Sequence, residues 1–181
     1  MRLISEHGQR HPRANRWQPY AAATLAVGAA AAAGSMAVDP DSAWYRSLNK
    51  PGWQPPSWAF GAVWTPLYGS LAFAGGRALD RARGRDRRGV AAGLGVDLAL
   101  NAGWTWLFFG CRSPRAGAVG TLLLNAANVE LIRRVGRADA AAGRALLPYA
   151  AWCVFATALN TSIARRNKPK GSRHPAASRR F

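Results

Sequence analysis

Residues Trp44 to Gly69 read WYRSLNKPGWQPPSWAFGAVWTPLYG, and the rest of the chain is arranged around them. The stretch holds four of the eight tryptophans (Trp44, Trp53, Trp58, Trp64) and four of the eleven prolines (Pro51, Pro55, Pro56, Pro66). Its first half is expected to be non-helical. Pro51 lacks an amide donor, and Pro55-Pro56 biases Gln54 toward extended backbone. From Ser57, read as an N-cap, the chain turns apolar and takes a helical pattern. A rigid aromatic loop thus feeds a hydrophobic helix. Tryptophans so placed anchor at a membrane interface or line a pocket beneath it.

Outward from this stretch the chain alternates apolar runs with short basic ones. The runs are Tyr20–Val38, Trp58 to about Gly76 with Pro66 inside, Gly89–Phe109, Ala116 to about Ile132, and Ala145–Ala164. Each is close to the ~20 residues that cross a hydrocarbon core of ~30 Å as a helix. Arg77–Arg88 carries six arginines and reads as a connection, as does Arg137–Arg144. Cys111–Arg115 reads as a tight turn with Pro114 as breaker. The expected fold is all-α, an integral membrane bundle of five transmembrane helices over residues 20–167. Basic tails flank it at 1–19 and 168–181. A basic start before an Ala-rich run also fits a signal peptide, but four further spans favour a retained helix.

The net charge is +17, from 25 Lys+Arg against 8 acidic residues. The basic residues cluster between the apolar runs rather than along one face. That distribution points to a multi-pass protein in a lipid bilayer and away from a nucleic-acid partner. The basic loops favour the N-terminus inside, although seven basic residues from Arg165 to Arg180 pull the other way. Cys111 and Cys153 read as small buried hydrophobes, not a disulfide framework. His7, His11 and His174 all fall in the tails. The chain has no metal-ligand spacing, phosphate loop or nucleophile elbow. No catalytic residue and no obligatory cofactor is therefore assigned, and a haem held by an axial histidine is not expected in the bundle.

Asp97, Asn101, Trp104 and Phe108 succeed one another at steps of four, three and four, which places them on one helical face. An Asp inside a span costs ~2.5–3.5 kcal/mol on insertion scales, so it faces the interior or a wet cavity. Two readings stand: a polar-floored aromatic pocket, or hydrogen-bonding glue between helices. In the last span Trp152, Ala156 and Asn160 share a face, with Ala156 removing bulk below Trp152. Trp64 lies six residues past Trp58, Trp152 four past Pro148, and Trp104 one turn past Asn101. All three are expected to face one cavity in the loop-side half, closed by the loop that carries Trp53 and Pro55. Glu130 reads as an ion pair with Arg133 or Arg134, and Asn125 and Asn128 as interhelical contacts. Gly89-xxx-Gly93 and Ala91-xxx-Gly95 offer small faces for a homodimer through the third span, with Ala30-xxx-Gly34 the next candidate.

Three segments carry a resemblance: WY…L.KP.WQPP.W.FG.VWT.LY, ALNAGWTWLFFG (Ala99–Gly110) and PYAAWCVFATALN (Pro148–Asn160). In this order they resemble the TspO/MBR family, the tryptophan-rich sensory and translocator proteins, also called peripheral-type benzodiazepine receptors. The match covers about Trp44 to Asn167. The resemblance implies a binding protein for porphyrins or similar flat hydrophobic molecules, acting as sensor or transporter, and often dimeric. It implies pocket roles for Tyr45, Pro55, Trp64, Tyr68, Asn101, Trp152 and Ala156, with Trp104 near another aromatic pocket position. Arg46 and Lys50 are candidates for porphyrin propionates. The alternatives are light- and oxygen-dependent porphyrin breakdown, or a structural membrane module without a small ligand. Two departures stand out. Asp97 replaces an expected neutral residue. The family's sterol motif is broken by Thr161 where it needs Tyr, so no sterol binding is expected.

Overall fold

The computed structural model describes residues 16–168. The chain forms α1 (Gln18–Ser35), α2 (Ala43–Ser47), α3 (Ser57–Arg81), α4 (Gly84–Thr105), α5 (Pro114–Ala138), α6 (Ala140–Ala145) and α7 (Leu147–Arg166), with no strand among the described residues. A π-helical turn, Trp106–Gly110, prolongs α4. Five of the helices run 18 to 25 residues. At ~1.5 Å per residue these are roughly 27–38 Å long.

The five long helices form one bundle. α1 packs on α3 and α4, and α5 packs on α4 and α7. Small residues let α1 come close. A Cβ on Gly76 would lie 2.8 Å from the Tyr20 Cα, and Gly34 sits against Ala102 of α4. The expected packing face of Ala30 and Gly34 is thus used inside the chain. Leu71, Ala74, Leu94, Leu124, Leu131 and Val135 are buried between the helices. The outside is also apolar: Leu25, Phe73, Val96, Leu122 and Val154, one on each long helix, keep about half or more of their surface exposed. Pro66 lies inside α3 without ending it, and the Thr65 hydroxyl donates to the Gly61 carbonyl at 2.9 Å in the same turn.

Several expected boundaries shift. By hydropathy alone, one described segment, Ala140–Arg166, is long and apolar enough to cross a membrane, with mean hydropathy 1.3. The connection expected over Arg77–Arg88 is mostly helix. α3 runs on to Arg81, and α4 begins at Gly84, whose φ of +51° makes the turn. Arginine is a good helix former, so a basic run lengthens a helix as readily as it links two. Likewise α5 runs to Ala138, and Asp139 then caps α6, where a basic loop was expected. Pro114 starts α5 rather than breaking the chain, since a missing amide is harmless in the first turn. Ser57 is the first residue of α3, and the cap is Pro56. Ala43–Ser47 is helical within the stretch expected to be irregular; Ser42 caps it, accepting from the Tyr45 amide at 3.3 Å. The prolines constrain only the segment after Lys50. The N-terminal tail expected to Pro19 gives way to α1 at Gln18, and residues 1–15, residues 169–181 and all three histidines lie outside the described residues.

Candidate functional site: an aromatic cavity at the loop end

The C-terminal ends of α1, α4 and α7 meet the N-terminal ends of α3 and α5. The α1–α3 connection crosses this end and is pinned to it. Asn167 accepts from the Asn49 amide (2.9 Å) and donates to the Asn49 carbonyl (3.0 Å). Trp44 packs edge-on against Phe108, 5.5 Å between centroids. The Trp106 indole donates to the Ala33 carbonyl at 3.0 Å, and the Thr105 hydroxyl to the Gly34 carbonyl at 2.9 Å. Beneath this cover lies a cavity of about 360 Å³.

Seven of the eleven expected site residues line it: Tyr45, Trp64, Tyr68, Trp104, Phe108, Trp152 and Ala156. Trp64 stacks on Tyr68 (5.2 Å, 25°) and meets Trp152 edge to face (6.5 Å, 90°). Trp104 and Tyr45 both contact Phe108 edge-on, at 6.2 Å each. The π turn matters here. One extra residue in the turn re-aims the side chains beyond it, and such turns recur at functional sites. It sets Phe108 and Phe109 against Tyr45, with Phe109 at 5.2 Å. Burial raises the Tyr45 phenol pKa, partly offset by its hydrogen bond from Gln54.

Sequence reasoning missed Gln54, Phe60, Thr105, Leu159 and Ile163 in the wall. Phe60 was legible, one turn before Trp64 on the same face. Asn160, read on the face of Trp152 and Ala156, lines the cavity as well. Gln54 Oε1, Asn160 Oδ1 and Trp152 Nε1 are buried without a protein partner.

Four expected residues lie off the wall. Trp53 is half-exposed and packs edge-on against Phe155, 5.7 Å away. Pro55 sits between the lining residues Gln54 and Ser57 without lining the cavity itself. Asp97 and Asn101 are buried behind Tyr68 in a hydrogen-bonded chain. The Tyr68 hydroxyl donates to Asn101 Oδ1 (3.0 Å), Asn101 Nδ2 donates to the Tyr149 hydroxyl (3.0 Å), and Tyr149 donates to Asp97 Oδ2 (2.9 Å). They tie α3, α4 and α7 together, so the floor of the cavity is the Tyr68 ring rather than the carboxylate. Trp152 also needs correcting. α7 starts at the far end of the bundle, so Trp152 reaches the cavity from its deep side, not from the loop side. Lys50 Nζ sits 4.1 Å over the Tyr45 ring, and neither it nor exposed Arg46 lines the cavity.

The opposite end is closed by charge. Asp139, 5% exposed, accepts from the Ala142 amide at 2.8 Å. Its other oxygen pairs with Arg77 Nε at 3.0 Å and with Arg81, both from α3. The Ala142 hydrogen bond, then Arg77 and Arg81, hold its carboxyl below the usual carboxylate range against an opposing effect of burial. Glu130 pairs with Arg134 at 2.7 Å, as expected. Asn125 donates to Thr157 Oγ1 at 2.7 Å across α5 and α7. Gly89 and Gly93 face the Arg134 side chain of α5, so that pair is filled from within the chain. Gly95, on the other side of α4, meets nothing.

An apolar exterior and an aromatic cavity under a tryptophan-rich loop define a membrane-type helical bundle with a small-molecule pocket. The TspO/MBR family profile matches residues 21–166. The chain is 36% identical to the tryptophan-rich protein TspO of Chlorobaculum tepidum over 144 residues, covering 79% of this chain and 90% of that protein. It is 34% identical to the translocator protein of Homo sapiens (83% and 91% covered) and 31% identical to the tryptophan-rich sensory protein of Cereibacter sphaeroides (83% and 92%). The chain belongs to the TspO/MBR family.

Proposed function

We propose that the chain crosses a lipid bilayer five times and holds a flat hydrophobic ligand of porphyrin type in the cavity, as a sensor or transporter. The observation that carries this is the cavity wall. Trp64, Tyr68, Trp104 and Trp152 come from three helices onto one space of about 360 Å³, within the ~300–1,000 Å³ of small-molecule sites. Stacking would supply most of the affinity, since aromatic pairs add ~0.5–1.5 kcal/mol beyond area burial. The unpartnered Trp152 indole, Gln54 and Asn160 would set orientation. The spanning arrangement is supported by helix lengths and by the apolar side chains left outside on every long helix. A homodimer would use the open face of α4, Ala91-xxx-Gly95, rather than Gly89 and Gly93; Gly95→Leu should then dissociate it. The bilayer, the flat ligand and a second copy are the partners in this reading, and nucleic acid is not among them.

Protoporphyrin titration, followed by porphyrin absorbance in detergent, tests the reading. Trp64→Ala and Trp152→Ala should each weaken binding at least tenfold, a loss of ~1.4 kcal/mol. Trp17→Ala, on an exposed residue before α1, should change nothing. Equal weakening by all three would mean that porphyrin partitions onto exposed aromatics. Irreversible loss of the Soret band in light would turn the binding site into a reactive one.

A further inference from the structure

The cavity wall carries no charge of its own, but a lone carboxylate stands three hydrogen bonds behind it. Asp97 is fully buried. No cation pairs with it among the described residues, and its Oδ1 has no partner. The groups that face it are neutral: Tyr149 and Cys153 of α7, and Tyr68 of α3 through Asn101. The packed face of α5 adds the amide of Asn128 beside Cys153 and, one turn away against Gly93, the side chain of Arg134, whose charge is paired with Glu130. Ionisable side chains in such a place mark ion or proton pathways.

Valence settles the sense of the chain that leads from it. An ionised carboxylate only accepts, so Tyr149 must donate to it. The Tyr149 oxygen then accepts from Asn101 Nδ2, which leaves Asn101 Oδ1 to accept from Tyr68. Tyr68 spends its one proton inward, and what its oxygen has left for any further partner is acceptor capacity. The end of the relay at the cavity is therefore electron-rich and backed by one formal negative charge.

An unpaired ion at this depth is costly; a proton on Asp97 removes that cost, and a positive ligand in the cavity, three hydrogen bonds away, offsets part of it through space. We propose that a proton and a flat cationic ligand compete for Asp97: the cation enters the cavity, and one proton leaves Asp97 for solvent. The exchange is neutral in charge and forms no covalent bond. This rests on the cavity reading and adds a charge preference and a proton to it.

The test uses two tricyclic probes of similar size, permanently cationic 10-methylacridinium and neutral acridone, with the full chain in detergent. Neither probe gains or loses a proton between pH 5 and 8. Wild-type affinity for 10-methylacridinium should rise with pH, by up to tenfold per pH unit, with up to one proton released per ligand in weak buffer. Acridone affinity should not depend on pH. Asp97→Asn should abolish the pH dependence and bring the two probes within about twofold of each other. Tyr68→Phe should lower the preference for the cation while acridone still binds. If neither probe binds, the cavity reading itself fails. If both bind with no pH dependence in the wild type, the cavity reading stands and the exchange is wrong. Retained pH dependence in Asp97→Asn would also overturn it.

Discussion

Asp97 and Asp139 are both buried carboxylates, and the molecule treats them in opposite ways. Asp139, at the closed end, is surrounded by donors: the Ala142 amide and two arginines of α3. Asp97, mid-bundle, receives one phenol hydrogen bond and no cation. The first is a clasp whose partners offset its burial. The second, when ionised, has one hydrogen bond and no countercharge to set against its burial. Buried charges that are fully paired belong to architecture, and those left unpaired are the ones to examine for function.

Thermal unfolding in detergent can break this comparison. Asp139→Asn should give the largest loss of stability, because both arginines lose their countercharge at once. The pH dependence has a definite sign. Since the folded carboxyl titrates below its unfolded value of ~3.9, its contribution is fully present above that value. It is lost as pH falls through the folded value. The gap between wild type and Asp139→Asn should therefore be constant from neutral pH down to about pH 5 and close below ~4. A gap that closed near pH 7 instead would deny the clasp.

Tyr149→Phe comes next. It strips Asp97 Oδ2 and Asn101 Nδ2 of their shared partner, and an unsatisfied buried polar group costs ~1–3 kcal/mol. Smallest is Asp97→Asn. The new amide oxygen still accepts from Tyr149, and the buried formal charge is gone. Stability should hold within ~1 kcal/mol or rise, in contrast to the same substitution at Asp139. A large loss at Asp97 would show that the ionised form is structurally required and would erase the difference between the two sites.

Much of the cavity was legible before any coordinates. Helical spacing put Trp104 with Phe108 on one face and Trp152 with Ala156 on another, while Tyr45 and Tyr68 came from the family resemblance. Two features were not. The π turn at Trp106–Gly110 has no local signature in WLFFG, yet it seats Phe109 against Tyr45. The depth of Trp152 depends on which end of α7 meets the loop, a matter of chain direction rather than spacing.

The sequence by itself determined that this is an all-helical chain with a tryptophan-rich loop and an acid inside a long, largely apolar helix. Those come from composition and periodicity, which are local. Only the tertiary structure decided what each charge faces. In one dimension Asp97 lies in an apolar run and Asp139 in a short basic connection, and neither setting names the groups the carboxylate meets. Their difference comes from Arg77, Arg81, Tyr149 and Asn101. Three of these lie tens of residues away along the chain, and Asn101, one turn on, reaches Asp97 only through the Tyr149 hydroxyl. An ion's energy in a low-dielectric interior is set by the partners that packing brings within hydrogen-bond reach.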